Sequence, residues 1–283
     1  MKQLFAISVF GLILLLSLLL FGKIEPPLKK PAQNISAAPA FNISDYIQQE
    51  KQKLSPSQLI FISNLENSIS RGNVQQQRVE INNQIADFWK DSVKAFIPYA
   101  HYLAEAAKLD NSEKNLTFAA QIILDNMRGE NIEALKMWEA ETAIDLFERG
   151  LQLNPGNDSL KVGLGSCYIY GKGMFGNAEE TMKGIQHLLQ VVKNDSANMT
   201  AQMVLGIGGV ISRQFDKAIG RLNKVASSQP GNLEAVSWLA DAYAGAGDSN
   251  NAVKWYQYSK RLVNNIEYSK EVDERIKALH PPH

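Results

Sequence analysis

Sliding the C-terminal third of the chain on itself by 34 residues lays Leu205 on Leu239, Gly206 on Ala240, Ala218 on Ala252, Leu222 on Tyr256 and Pro230 on Asn264. A self-match at one fixed offset constrains the fold strongly. A unit that short cannot bury an apolar face alone and must stack on its copies. Gly206 or Ala240 on one helix, and Ala218 or Ala252 on the next, mark crossings too close for a larger side chain, while the large residues beside them fill the gaps. Nothing from Leu54 onward alternates apolar and polar with period two over the length of a strand, so the expected class is all-α.

Upstream, the signals are helical but less periodic. Ser55-Pro56-Ser57-Gln58 has the form of a capping box with proline in the first turn, and Leu59, Ile62, Leu65 and Ile69 follow at helical spacing. Further amphipathic stretches are predicted at about 74–91, 93–108, 113–127 and 134–152, separated by Arg71-Gly72-Asn73, Asp110-Asn111 and Arg128-Gly129-Glu130. Leu164-Gly165 and Tyr168, with Gly184, Leu188 and Val191, form one more unit, but Leu164 lies 41 residues before Leu205. The seven extra residues are expected in a Gly-rich loop, 171–177, where a change at Gly176 should be nearly silent.

On these residues the chain resembles the tetratricopeptide repeat family: residues 199–232 supply Leu205, Gly206, Ala218, Leu222 and Pro230, and residues 233–266 supply Leu239, Ala240, Tyr243, Gly247, Ala252 and Tyr256. Ala143, Phe147, Gly150 and Pro155 match a second helix of that family, while its partner around Leu116–Asn126 departs from the pattern. With its N-terminal apolar run, Lys161–Ile169 and Leu205–Gly209, the chain also looks like single-pass tetratricopeptide proteins of the Bacteroidota cell envelope. The resemblance implies an α-solenoid of antiparallel helix pairs at 138–266, degenerate repeats at 55–137, and a capping helix and tail at 267–283. In that last segment Val272, Ile276 and Leu279 share one face.

Leu4 to Gly22 is apolar apart from two serines, and a helix of that length measures about 28 Å, enough for a hydrocarbon core. No small-x-small cleavage site follows directly, so 1–23 is expected to be an uncleaved transmembrane signal-anchor. Residues 24–54 carry four prolines and no sustained apolar period, and are expected to form a flexible, disordered tether. Lys2 on one side against Lys23, Lys29 and Lys30 on the other slightly favours a cytoplasmic body. The very short tail ahead of the run instead fits an exported anchor, and the expectation is a bacterial inner-membrane protein with a periplasmic body.

The charges balance at 29 Lys+Arg against 29 Asp+Glu, which leaves no electrostatic case for nucleic acid as partner. One cysteine and four histidines assemble neither a disulfide nor a structural zinc site. Gly163-Leu164-Gly165 and Gly206-Ile207-Gly208-Gly209 have no preceding strand and no following Gly-Lys-Ser/Thr, so they read as packing positions rather than phosphate loops. Cys167 reads as a buried small hydrophobe. His101 and Glu105, four apart on one helix, read as a surface pair or as two ligands lacking a third, and an enzyme with its site there is the runner-up reading.

The resemblance places the partner surface on the first helix of each pair: Val162, Ser166 and Ile169; Thr200, Met203, Ile207 and Val210; Glu234, Ser237 and Asp241. These positions carry no Lys, Arg or Asn for clamping a carboxylate and suit an apolar peptide segment or helix. The competing reading buries Ile169, Met203, Ile207 and Val210 between helices. The function expected is therefore a membrane-tethered scaffold or adaptor for protein–protein interaction, with no catalysis and no cofactor. Homo-oligomerisation is one form of it, and, by family analogy, assembly of envelope proteins such as c-type cytochromes is another.

Overall fold

A computed structural model describes residues 41–71 and 74–279, and every regular element among them is helical. The candidate transmembrane segment lies outside the described residues, and among those described no helix is long and apolar enough to cross a membrane. The helices are α1 (Ile43–Lys51), α2 (Pro56–Arg71), α3 (Gln75–Asp87), α4 (Phe96–Asp110), α5 (Glu113–Gly129), α6 (Glu133–Leu153) and α7 (Asp158–Ser166). They continue as α8 (Ala178–Asn194), α9 (Met199–Ile211), α10 (Phe215–Ser228), α11 (Leu233–Gly245), α12 (Ser249–Leu262) and α13 (Ile266–Leu279). Short turns fold α5 onto α6, α9 onto α10 and α11 onto α12, while the π-helical turn Phe88–Val93 leads α3 onto α4 and a longer segment, 167–177, leads α7 onto α8; each pair packs on the next, ending at α13.

The 34-residue offset is reproduced from cap to cap. Asn198 accepts the Ala201 amide at the start of α9, and Asn232 accepts the Ala235 amide at the start of α11. Each unit is a 13-residue helix followed by a 14-residue one. An Asn side chain satisfies one of the amides that a helix start leaves without a partner, so the repeated Asn fixes where each pair begins. The Ser55 box also forms: the Ser55 amide donates to Gln58 Oε1 at 3.0 Å and the Gln58 amide to Ser55 Oγ at 3.4 Å.

The core runs along the array through the helix crossings. A Cβ added at Gly206 would sit 2.5 Å from Leu222 Cγ, and one at Gly165 would sit 2.6 Å from Leu188 Cγ, so each small residue is held by the large one on its partner helix. Gly163–Gly165 and Gly206–Gly209 are helix interior, which rules out the phosphate-loop reading geometrically.

Three expectations need correction. Residues 43–51, assigned to the tether, form α1: Asn42 caps it, Ile47 is buried against the cluster around Trp89, and Lys51 pairs with Glu66. A nine-residue helix with one buried apolar residue has no periodicity to detect, and tertiary contact stabilises it instead. The extra residues near 171 are not simply a loop, because α7 continues as a π-helical turn, Cys167–Lys172, and a short 3-10 turn, Gly173–Phe175. Gly176, which follows, has φ of +80°, so replacing it strains the backbone although its surroundings are open.

Glu139 on α6 is fully buried. Asn126 Nδ2 donates to its Oε1 at 2.6 Å, and its Oε2 meets no donor among the described residues. Burial pushes its carboxyl up to about 7, only partly opposed by the Asn126 bond; the nearby charges of Glu130 and Lys136 act in opposite directions.

This packing can be tested at two places. Gly206→Ala forces Leu222 aside and should cost about 1–3 kcal/mol, whereas Gly220→Ala on α10, with open space around it, should be neutral or gain up to about 1 kcal/mol. Thermal melts of the two variants should shift in opposite directions or by clearly unequal amounts. The raised Glu139 pKa means that the fold favours the protonated acid, so its stabilising contribution is complete below about pH 4.5 and is lost as pH rises through about 7. Denaturant midpoints measured from pH 5 to 8 should fall for the native chain, and Glu139→Gln should flatten that part of the profile.

Candidate functional site: the face of the first helices

The first helices α5, α7, α9 and α11 lie side by side along one face of the array, α5 against α7, α7 against α9 and α9 against α11. Between α5, α7 and α9 they enclose a cavity of about 230 Å³. Val162, Ser166, Thr200 and Met203 line it together with Gln121, Asp125 and Arg128 of α5. Ser166 spends its hydroxyl on the Val162 carbonyl at 2.8 Å, and Leu124, Val162, Met203 and Val204 supply the apolar lining.

At the far end of the cavity α5 is tied to α11. Arg128 pairs with Glu234, its guanidinium lies 4.9 Å from the centre of the Tyr170 ring, and the Tyr170 hydroxyl donates to Glu234 Oε1 at 2.8 Å. Tyr170 belongs to the π-helical extension of α7, so the extra turn is what carries its ring to this position. Burial and the Glu234 charge both push the Tyr170 hydroxyl up, so it stays a donor. Arg128, Tyr170 and Glu234 also line a second, more open recess with Asp125, Met174 and Trp238, so the tie stands between two hollows.

The ten predicted positions divide. Val162, Ser166, Thr200 and Met203 are on the cavity and Glu234 is on the adjoining recess. Ile169 and Ile207 are fully buried, with Ile169 packed beside Gly184 and Gly208, so they belong to the seams between helices and not to a groove. Val210 is half-buried and packs on the main core. Ser237 Oγ is 2.8 Å from the Tyr268 hydroxyl and Asp241 pairs with Arg275, so α13 engages both. Gln121, Asp125 and Arg128 were missed because α5 lacks the repeat spacing from which the register was read. The one available signal was charge on a helix adjoining the repeats.

The remaining candidates have structural settings. Cys167 is fully buried, and burial pushes its thiol up, away from nucleophilic use. Glu105 pairs with Lys108, and the His101 ring meets Tyr102 edge-on with centroids 5.0 Å apart. Burial lowers the His101 pKa despite the Glu105 charge. His187 stacks on Tyr168, and His280 and His283 lie outside the described residues. Among the described residues no three His, Cys, Asp or Glu side chains are placed to hold a metal ion.

No protein-family model matches the chain, and no curated protein matches it. Solved structures similar to it include a MamA protein (20% identity, TM-score 0.47, covering 72% of this chain and 96% of that one). Two others are YrrB, described as a TPR protein with an unusual peptide-binding site (15%, TM-score 0.47, 74% and 97%), and residues 41 to the end of MamA from Desulfovibrio magneticus RS-1 (16%, TM-score 0.48, 65% and 94%). The array of helix pairs stands on this chain's own caps, crossings and contacts.

The tie between α5 and α11 has a measurable size. Arg128 and Glu234 are both partly exposed, so their direct coupling should be modest, about 0.5–1 kcal/mol. A double-mutant cycle of Arg128→Ala and Glu234→Ala, read by denaturant unfolding, should return that value and shrink in high salt. Strict additivity would mean that the pair does not form in solution.

Proposed function

We propose that this chain is a non-catalytic tetratricopeptide-type adaptor, held at a membrane by its N-terminal apolar run, that receives a segment of a protein partner in the cavity between α5, α7 and α9. The observation that carries this reading is the cavity itself. The first helices of three successive pairs line it with apolar groups, Leu124, Val162, Met203 and Val204, interspersed with polar ones, Gln121, Asp125, Arg128, Ser159 and Thr200. A peptide or helix with one apolar side chain flanked by polar ones matches that mixed lining: the apolar group leaves water while the polar ones meet partners at the rim. The 19 residues from Leu4 to Gly22 support the tether, which raises the effective concentration of whatever the partner segment belongs to at the membrane surface. A periplasmic body, and an envelope role of the kind its resemblance implies, complete the reading.

The test is site-specific photocrosslinking in native membranes. A photoreactive residue in place of Thr200, exposed at the cavity, should yield a discrete adduct, and one in place of Lys254, exposed on the second helix α12, should not. The combined change Val162→Glu and Thr200→Glu should abolish partner capture while leaving the melting curve near native, since neither side chain is fully buried. Full capture by that stably folded variant would remove the cavity from the binding surface.

A further inference from the structure

Among the described residues Glu139 is the only buried Asp, Glu, Lys or Arg, and no cation pairs with it. Lys136, one turn away on α6, acts on it only through space, and Glu130 opposes that effect. The cations of the helices packed around it are engaged elsewhere: Arg128 of α5 with Glu234, Lys108 of α4 with Glu105 and Asp145, and Lys172 of the α7 extension with Glu141 and Glu180. Tyr46 of α1 lies within the field of Glu130 rather than of Glu139. A carboxylate buried with one hydrogen bond and no counter-ion must either keep a proton or draw in water. Its surroundings give that choice a mechanical consequence. Asn126, its only donor, precedes Met127 in α5, and Glu139 itself precedes Ala140 in α6. Met127 and Ala140 are the two residues on which Gly171 packs too closely to admit a Cβ. Gly171 belongs to the π-helical turn that carries Tyr170 to Arg128 and Glu234.

We propose that Glu139 is a proton-operated catch for the α7 extension. With its proton in place, α5 and α6 close over the neutral acid and Gly171 is seated on Met127 and Ala140. When the proton leaves to solvent, water must reach Oε2, the only carboxyl oxygen there without a donor, and it can do so only if α5 and α6 part at Asn126 and Glu139. The neighbouring Met127 and Ala140 part with them, so the seat opens and residues 167–172 are released along with the tie from Tyr170 to Arg128 and Glu234. Burial holds the Glu139 carboxyl up at about 7, so the catch is closed on the acid side of neutrality and open on the basic side. Any buried acid would lower the stability of the whole fold as pH rises. Release of this one turn ahead of the rest follows only from where Glu139 sits, and it is independent of what the cavity receives.

The chain carries its own reporter. Cys167 is the first residue of the extension, is fully buried and is the only thiol, so its reaction with a maleimide in the full-length chain, held in lipid nanodiscs, reads release directly. At pH 8, with circular dichroism still native, it should react at least tenfold faster than a cysteine introduced by Val225→Cys into a Cys167→Ala chain, because Val225 of α10 is equally buried but far from the catch in sequence. Glu139→Gln keeps a neutral polar group and cannot ionise. The rate at Cys167 in the native chain divided by that in Glu139→Gln should rise about tenfold from pH 6 to pH 8, as expected for a group held at about 7 when closed and near 4.5 when open. Taking the ratio at each pH removes the thiolate's own titration. Equal rates at positions 167 and 225 would overturn the proposal, since the acid would then loosen the whole array. A native-to-variant ratio that does not change with pH would overturn it too, since the extension would open without reference to Glu139. Should Glu139→Gln not fold, Glu139→Met, of similar length and equally unable to ionise, takes its place; should neither fold, the comparison of 167 with 225 decides.

Discussion

The structure depends on how closely paired helices approach at their glycines. At Gly206 and at Gly165 the partner's leucine occupies the space a Cβ would need, and Gly184 lies so near the Gly165 carbonyl that a side chain on it would reach 2.8 Å from that oxygen. Each crossing sets the spacing of one pair, and the stacking of pair on pair follows from it. Ile169 and Ile207 are fully buried, and Ile169 packs against both α8 at Gly184 and α9 at Gly208, so the extension of α7 is held by the second helix of its own pair and the first helix of the next.

The irregular unit shows how a departure from the repeat builds something the repeat lacks. Its additional residues do not form a loop that leaves the stack. They prolong the first helix by a π turn, which buries Cys167, Tyr168, Ile169 and Tyr170 in sequence. That longer helix reaches past its neighbours, so Tyr170 meets both Arg128 and Glu234. The local insertion thereby joins helices that a strictly regular array would leave apart.

Legibility in the sequence followed physical determinism. Residues 199–262 were readable to within a residue or two, because a 34-residue offset repeats caps, crossings and fillers together. α1 was not readable, since Ile47 is its only buried side chain and its stability comes from α4 and Lys51–Glu66. Of the candidate site, family register reached α7 and α9, which line the cavity, but positions about one turn apart on them divide between the cavity, as with Met203, and the buried interior, as with Ile207. Choosing between the two requires the offset between neighbouring helices, which no single-chain periodicity encodes. Arg128 and Asp125 were out of reach for a related reason: they enter from a helix outside the recognised repeats.

The link from Arg128 to Glu234 spans 106 residues in a molecule whose other contacts mostly join one helix to the next few. In a linear stack, disorder at one end spreads inward unit by unit, and each unit feels only those beside it. A bond between α5 and α11 adds a second route. Loosening of α11 is then felt at α5 directly, and, at about 0.5–1 kcal/mol for the pair, the amide protection of these two helices should be coupled modestly, and less so in high salt.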